Sequence, residues 1–248
     1  VTLATLLKKH YPFKTLYAFD LFLVPLEKPG FVGMNRDLAA GYRIDNLSCA
    51  YACLEALIRS SARTETLQLA VFWDHEEIGS GSSTGAGSLF IDQILERIGL
   101  SLHQNREDFH RLKSASLILS ADVAHGWNPN FADKYDPQNS PLLGQGTVLK
   151  FNAGRKYATD AASAAMLCKI AEKHKLKIQR AANRSDIPSG STVGPIMSTN
   201  TGIPTIDLGL ACWAMHSTRE IVSYTDLKEH AELMRAALDE WTPKQESR

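Results

Sequence analysis

The stretch Leu67 to Glu77, LQLAVFWDHEE, sets a nearly continuous apolar run against an abrupt acidic end. Leu67 to Trp73 has the branched and aromatic content expected of a strand buried on both faces. The same design recurs at Ala115 to Ala121, Thr147 to Phe151 and Ile203 to Leu210, and helical stretches are expected at Gly87 to Ile98, Asp160 to His174 and Asp226 to Trp241. This alternation predicts an α/β fold in which a mixed, mostly parallel sheet is flanked by helices on both faces. Ligands of such sheets bind beyond the carboxyl ends of the strands, so the residues that follow each apolar run carry the functional information.

Towards the N-terminus, Leu16 to Pro25 (LYAFDLFLVP) also has strand character, and Glu27 to Gly41 reads as a crossing between two substructures. Asn46 to Ser60 reads as a helix with the apolar stripe Leu47, Ala50, Leu54, Ala56 and Leu57, and Asp45 stands where its N-cap would be.

The 248 residues are 44% hydrophobic and 22% charged, which excludes a disordered tail or a disulfide-held miniprotein. Lys plus Arg (27) equals Asp plus Glu (27), so no overall charge draws the molecule to nucleic acid or to an anionic membrane. No segment approaches the ~18 consecutive apolar residues of a membrane span, and Val1 to His10 lacks the pattern of a secretory signal, so a cytoplasmic protein is expected. Cys49, Cys53, Cys168 and Cys212 form neither a disulfide framework nor a CxxC motif and read as buried thiols.

The strand ends supply Asp74-His75-Glu76-Glu77, then Asp122 and His125, then His216, with Asp45 before the early helix. Alone, a Glu-Glu pair is a solvated turn, an Asp after a strand is a helix cap, and a single histidine is a core residue. Together they are carboxylate and imidazole ligands delivered from several strand ends, as a divalent metal site requires. Of the adjacent Glu76 and Glu77, one can bind a metal and leave the other free to accept the proton of an attacking water, whose pKa a metal lowers toward ~7. Such a site suits amide hydrolysis. The glycine-rich Gly79 to Gly87 lacks the ending of a phosphate loop and reads as a close backbone passage. Ser185 to Pro195 reads as a shaped loop leading into a helix N-terminus, and neither Gly79-Ser80-Gly81-Ser82-Ser83 nor Gly190-Ser191-Thr192-Val193-Gly194 has the GxSxG spacing of a serine hydrolase.

Tyr42-Arg43-Ile44-Asp45-Asn46, Trp73 to Ser80, Ser120 to His125, Lys150, Arg155 to Asp160, Arg184-Ser185-Asp186, Gly190 to Pro195 and Ala214 to Glu220, in that order, resemble the aspartyl aminopeptidases. These are two-metal exopeptidases that remove an N-terminal acidic residue from peptides. The resemblance implies a zinc-exopeptidase-like catalytic domain and two divalent metal ions, zinc, with manganese or cobalt as alternatives. It implies Asp45 as the bridging carboxylate, Glu77 and His216 as ligands of one metal, Asp122 as a ligand of the other, and Glu76 as general base. His125 and Lys150 match substrate-pocket positions, and a lysine ammonium suits an acidic substrate side chain. The resemblance further implies a homo-oligomer, dodecameric in the complete protein.

The family's remaining ligand is a histidine in an H-x-D motif upstream, and none of the eight histidines here is followed two residues later by Asp. Residues 1–38 are therefore expected to be the tail of an inserted β-rich dimerisation domain and residues 39–248 the returning catalytic domain. On that expectation the chain alone has weak or no activity. The alternative is a non-catalytic metal-binding or assembly subunit derived from the same fold.

Overall fold

A computed structural model describes residues 2–242; Val1 and residues 243–248, the outer ends of the two expected segments, lie outside the described residues. In chain order the elements begin with helix α1 (Leu3–His10), strands β1 (Gly30–Val32) and β2 (Leu38–Gly41), and helices α2 (Ile44–Arg59), α3 (Phe90–Ser101) and α4 (Arg106–Ser114). Strands β3 (Ile118–Ala121), β4 (Ala124–His125) and β5 (Thr147–Lys150), helix α5 (Ala161–His174), strand β6 (Ile178–Ala181) and helix α6 (Val193–Thr201) follow. The chain then forms β7 (Thr205–Gly209), β8 (Ala211–Trp213), β9 (Glu220–Ser223) and α7 (Tyr224–Glu240).

The strands form two mixed sheets, ordered β1-β2-β9-β8-β4 and β3-β7-β5-β6. Three of the seven pairings are parallel: β3 with β7, β4 with β8, and β5 with β6. The sheets are joined by two strands that pass from one to the other side by side. The Asp122 amide donates to the Leu208 carbonyl at 2.9 Å and the Ala124 amide to that of Leu210 at 2.7 Å, so the parallel ladder runs on through the crossing. The strands approach so closely there that a Cβ on Gly209 would collide with the carbonyl oxygen of Asp122.

Period-two alternation sorts the side chains of these strands. Leu119 and Ala121 of β3, with Ile206 and Leu208 of β7, face the core beneath α2, α5 and α7, where Leu149, Leu167 and Leu233 are also fully buried. Each such large apolar side chain contributes roughly 1.5–3 kcal/mol by leaving water. Ile118 faces the other way, into a cluster with Ile91 of α3 and Met197 of α6, so helices cover both faces of this sheet. Helix α5 starts at a capping box between Asp160 and Ser163, where the sequence places its beginning.

Four expectations are corrected. Leu67 to Trp73 is not a buried strand: it forms no ladder among the described residues, and Leu67, Leu69, Val71 and Phe72 are exposed. Leu16 to Pro25 is likewise unpaired and largely exposed. Apolar content marks what a strand could bury, whereas a strand exists only through its neighbour, which the run itself does not specify. The buried face of α2 is Cys49, Ala52 and Ala56, while Leu47 and Leu54 are exposed, because small residues let α2 lie close against α7. Asp45 does not cap α2: Arg43 holds the cap position and Asp45 has non-helical backbone angles. The cysteines are free, and Cys49 and Cys53 pack as small hydrophobes with thiols pushed up by burial.

Gly209→Ala is expected to destabilise the chain by about 3 kcal/mol or more, because two backbones must separate to admit one methyl group. Thermal or urea unfolding measures this, and a loss below about 0.5 kcal/mol, ordinary for a surface change, would contradict the close crossing.

Candidate metal centre

The sheet crossing and its flanking turns bring the sequence-marked residues to one cavity of about 750 Å³, lined by Asp45, Glu76, Glu77, Asp122, His125, Lys150 and His216. Asp45 lies in the first turn of α2, where the helix is kinked and its own backbone is non-helical (φ −78°, ψ 108°). The neighbouring Asn46 side chain donates to the Ala121 carbonyl at 2.8 Å and fastens this turn to the end of β3. Glu76 and Glu77 lie in a single 3-10 turn, Glu76–Ile78, flanked by His75 and Gly79 with left-handed backbones. His75 Nδ1 is 2.6 Å from Ser82 Oγ, engaged with the glycine-rich loop.

Three donors converge. His216 Nε2 lies 3.1 Å from Asp45 Oδ2 and 3.2 Å from Glu77 Oε2, and one donor atom from each residue falls within 4.8 Å of the others. The Asp45 side chain is only 8% exposed, whereas those of Glu77 (57%) and His216 (60%) are open to the cavity. Asp122 is placed differently: its Oδ2 accepts from Lys150 Nζ at 2.8 Å, and that ammonium also lies 5.4 Å from the centre of the Tyr157 ring. The structure thus gathers Asp45, Glu77 and His216 and sets Asp122 against Lys150 in the same cavity.

Negative charge is crowded here. Burial, with Asp122, Glu77 and Glu220 nearby, lifts the Asp45 carboxyl from 3.8 to about 7. Burial raises Glu76 above the usual glutamate range, with Asp122 and Glu77 adding to the effect. Burial lowers His125, and the neighbouring His216 and Lys150 lower it further. Burial alone would lower Lys150, but Asp122 and Tyr157 beside it hold its pKa above the ordinary lysine value. A divalent cation fits this arrangement, since two carboxylates and an imidazole converge where burial and neighbouring carboxylates together raise the Asp45 pKa.

Sequence reasoning missed two buried carboxylates. Asp207 accepts from Ser120 Oγ at 2.7 Å, Thr192 Oγ1 at 2.6 Å and the Ala158 amide at 2.5 Å, tying β3 to the two loops that wall the cavity. A Cβ on Gly194 would run into this carboxylate, which explains a glycine in the first turn of α6. Glu220 accepts from the Asp45 and His216 amides. The available signal was a carboxylate within an otherwise apolar strand, as in TIDLG and EIVS.

Residues 2–237 match the family model described as Aminopeptidase I zinc metalloprotease (M18). A probable M18 family aminopeptidase 2 of Clostridium novyi is 39% identical over 214 residues, which are 86% of this chain and 49% of that protein. The counterpart in Borreliella burgdorferi is 38% identical, over 88% of this chain and 51% of its own length. The chain therefore spans about half the length of the curated relatives it matches. Among solved structures, an M18-family aminopeptidase from Thermotoga maritima superposes with a TM-score of 0.81 at 31% identity, covering 88% of this chain and 50% of that one. The S. cerevisiae mApe1 dodecamer gives a TM-score of 0.76 at 29% identity, with 86% of this chain and 48% of that chain covered. By its sequence and its fold, this chain belongs to the M18 family of zinc metalloproteases.

Proposed function

We propose that residues 39–248 carry most of the catalytic machinery of a metallo-aminopeptidase that releases N-terminal Asp or Glu from peptides, and that residues 1–38 are the tail of a dimerisation domain. The observation that carries this reading is the convergence of Asp45, Glu77 and His216 in a cavity that also holds Glu76. In this reading Asp45, Glu77 and His216 would hold one divalent ion and Asp45 and Asp122 a second, zinc with manganese or cobalt as alternatives. Zinc would supply Lewis acidity, polarising the scissile carbonyl and acidifying the attacking water. Glu76 would take the water's proton on a carboxylate oxygen and return it to the leaving amine. Its raised pKa brings it nearer the operating pH, where a general base works best. Lys150 and His125 line the wall that would receive an acidic side chain. The dodecamer among the solved relatives supports a homo-oligomer for the complete protein, and the free thiols agree with a cytoplasmic setting.

One observation favours the alternative, a non-catalytic metal-binding or assembly subunit. Asp122 is engaged by Lys150, so among the described residues the donors that converge, Asp45, Glu77 and His216, form one three-ligand group. Activity on Asp-, Glu- and Leu-nitroanilide with added Zn²⁺, Mn²⁺ or Co²⁺ separates the readings. It should be measured on this chain and on a longer polypeptide that adds an upstream H-x-D segment. Acid-selective turnover in the longer form, with weak or no turnover in the 248 residues, is expected. Metal binding without turnover in either would favour the alternative.

Within an active form, Glu76→Gln is expected to lower kcat by about 10²–10⁴-fold with metal still bound. Retention of more than about a tenth of wild-type kcat would remove Glu76 from the role of base. Lys150→Ala should reduce kcat/KM for Asp and Glu substrates more than for Leu, and an equal loss on all three would sink the assignment of acidic specificity to Lys150.

The crowded carboxylates also set a pH dependence. The folded pKa of Asp45 is raised, so its contribution to stability is complete below its ordinary value of 3.8 and is lost as pH rises through about 7. A bound cation offsets that loss. The gap in Tm between zinc-loaded and chelator-treated chain is expected to widen from about pH 5 to about pH 8. A gap that stays constant or narrows over that window would contradict the placement of a cation at Asp45.

A further inference from the structure

Glu220 is the first residue of β9 and pairs in register with Gly41, the last residue of β2. That register sets two segments side by side: the kinked start of α2, which carries Asp45, and the turn from β8 into β9, which carries His216. Glu220 is 2% exposed, and its two carboxylate oxygens are divided between these segments. Its Oε2 accepts the Asp45 amide at 2.8 Å, across 175 residues of sequence, and its Oε1 accepts the His216 amide at 2.6 Å. No lysine, arginine or histidine pairs with this carboxylate among the described residues.

The His216 backbone needs such support. His216 (φ +67°) and Ala214 (φ +55°) both occupy the left-handed region, which non-glycine residues keep only where their surroundings enforce it. Within this turn the Ser217 amide donates to the Ala214 carbonyl at 3.0 Å, while the His216 amide is committed to Glu220. A buried carboxylate without a cationic partner is costly, and a site that needed only an acceptor for one amide would be served by a neutral group. Here both oxygens act, and each holds a different member of the converging cluster.

We propose that Glu220 is the positioning residue of the metal centre, one buried carboxylate that fixes the backbones of Asp45 and His216 at ligating separation without itself being a ligand. The assignment rests on the metal-centre reading above. A glutamine offers one acceptor oxygen, so in either orientation it leaves one of the two amides facing an NH₂ group. An aspartate keeps the charge and both oxygens but is one methylene shorter and cannot span both amides at these distances.

The test is a Co²⁺ titration of the full chain followed by its visible d–d absorption, comparing wild type with Glu220→Gln and Glu220→Asp, with circular dichroism and thermal melts to establish folding. Both variants are expected to fold, to bind Co²⁺ about 10- to 100-fold more weakly, and to show an altered band intensity that reports displaced ligands. Wild-type affinity and spectrum in Glu220→Asp would show that charge alone matters and would overturn the positioning role. Wild-type behaviour of Glu220→Gln would overturn it equally, and loss of the fold in both variants would reassign Glu220 to a purely structural part. Absence of any Co²⁺ spectrum in folded wild type would instead reject the metal-centre reading, and the assignment with it.

Discussion

Two strands crossing together from one sheet to the other organise everything else in this molecule. The ladder that begins with Ile118 opposite Thr205 continues through Asp122 and Leu208 to His125 opposite Cys212. Its backbone hydrogen bonds are made inside the protein, so it tolerates little slippage. The remaining pieces attach to it. Asn46 reads the carbonyl at the end of β3, β5 brings Lys150 alongside β7, and β9, paired with β8 through Ile221 and Val222, carries Glu220 opposite Gly41 of β2. A site built from residues 45 to 220 thus inherits its geometry from one backbone feature, and its loops need only follow.

The centre uses that rigidity to hold an electrostatically unfavourable arrangement. Asp45, Glu76, Glu77, Asp122 and Glu220 stand close together, and Lys150 balances only part of their charge. Large apolar side chains beneath α2, α5 and α7 supply the compensating stability. Such a division, with an apolar base and a crowded polar rim, is what a site poised for a cation requires. It also explains why the rim is assembled from left-handed and extended turns, since regular helix or strand would not aim so many carboxylates at one point.

Legibility from sequence followed the range of the forces involved. Helix α5 announces itself through a local capping box, and β5 and β7 through apolar runs whose partners are present. Asp45, Glu77 and His216 were marked by their places beside strands and helices, and they do converge. What escaped was non-local. Leu67 to Trp73 carries a strand's composition but no partner among the described residues, and α2 packs through Cys49, Ala52 and Ala56 because of what α7 presents. Asp122 and Lys150 were both visible, yet nothing in their spacing says that one faces the other at 2.8 Å. Glu220 was the hardest to see, because its role lies in two amides far apart in the chain, and an amide leaves no trace in sequence.

Gly209 has a further meaning as a marker. The backbone contact that excludes a side chain at this position is indifferent to whether the centre above it binds metal or turns over substrate. Glycine here reports the sheet, whereas Glu76 and its neighbours report the cavity, and the two can be lost independently. A related chain with no need of these carboxylates could shed them and keep the glycine. One that gave up the glycine would have to part the strands at Asp122, and so would lose the geometry of the cavity even with every polar side chain retained.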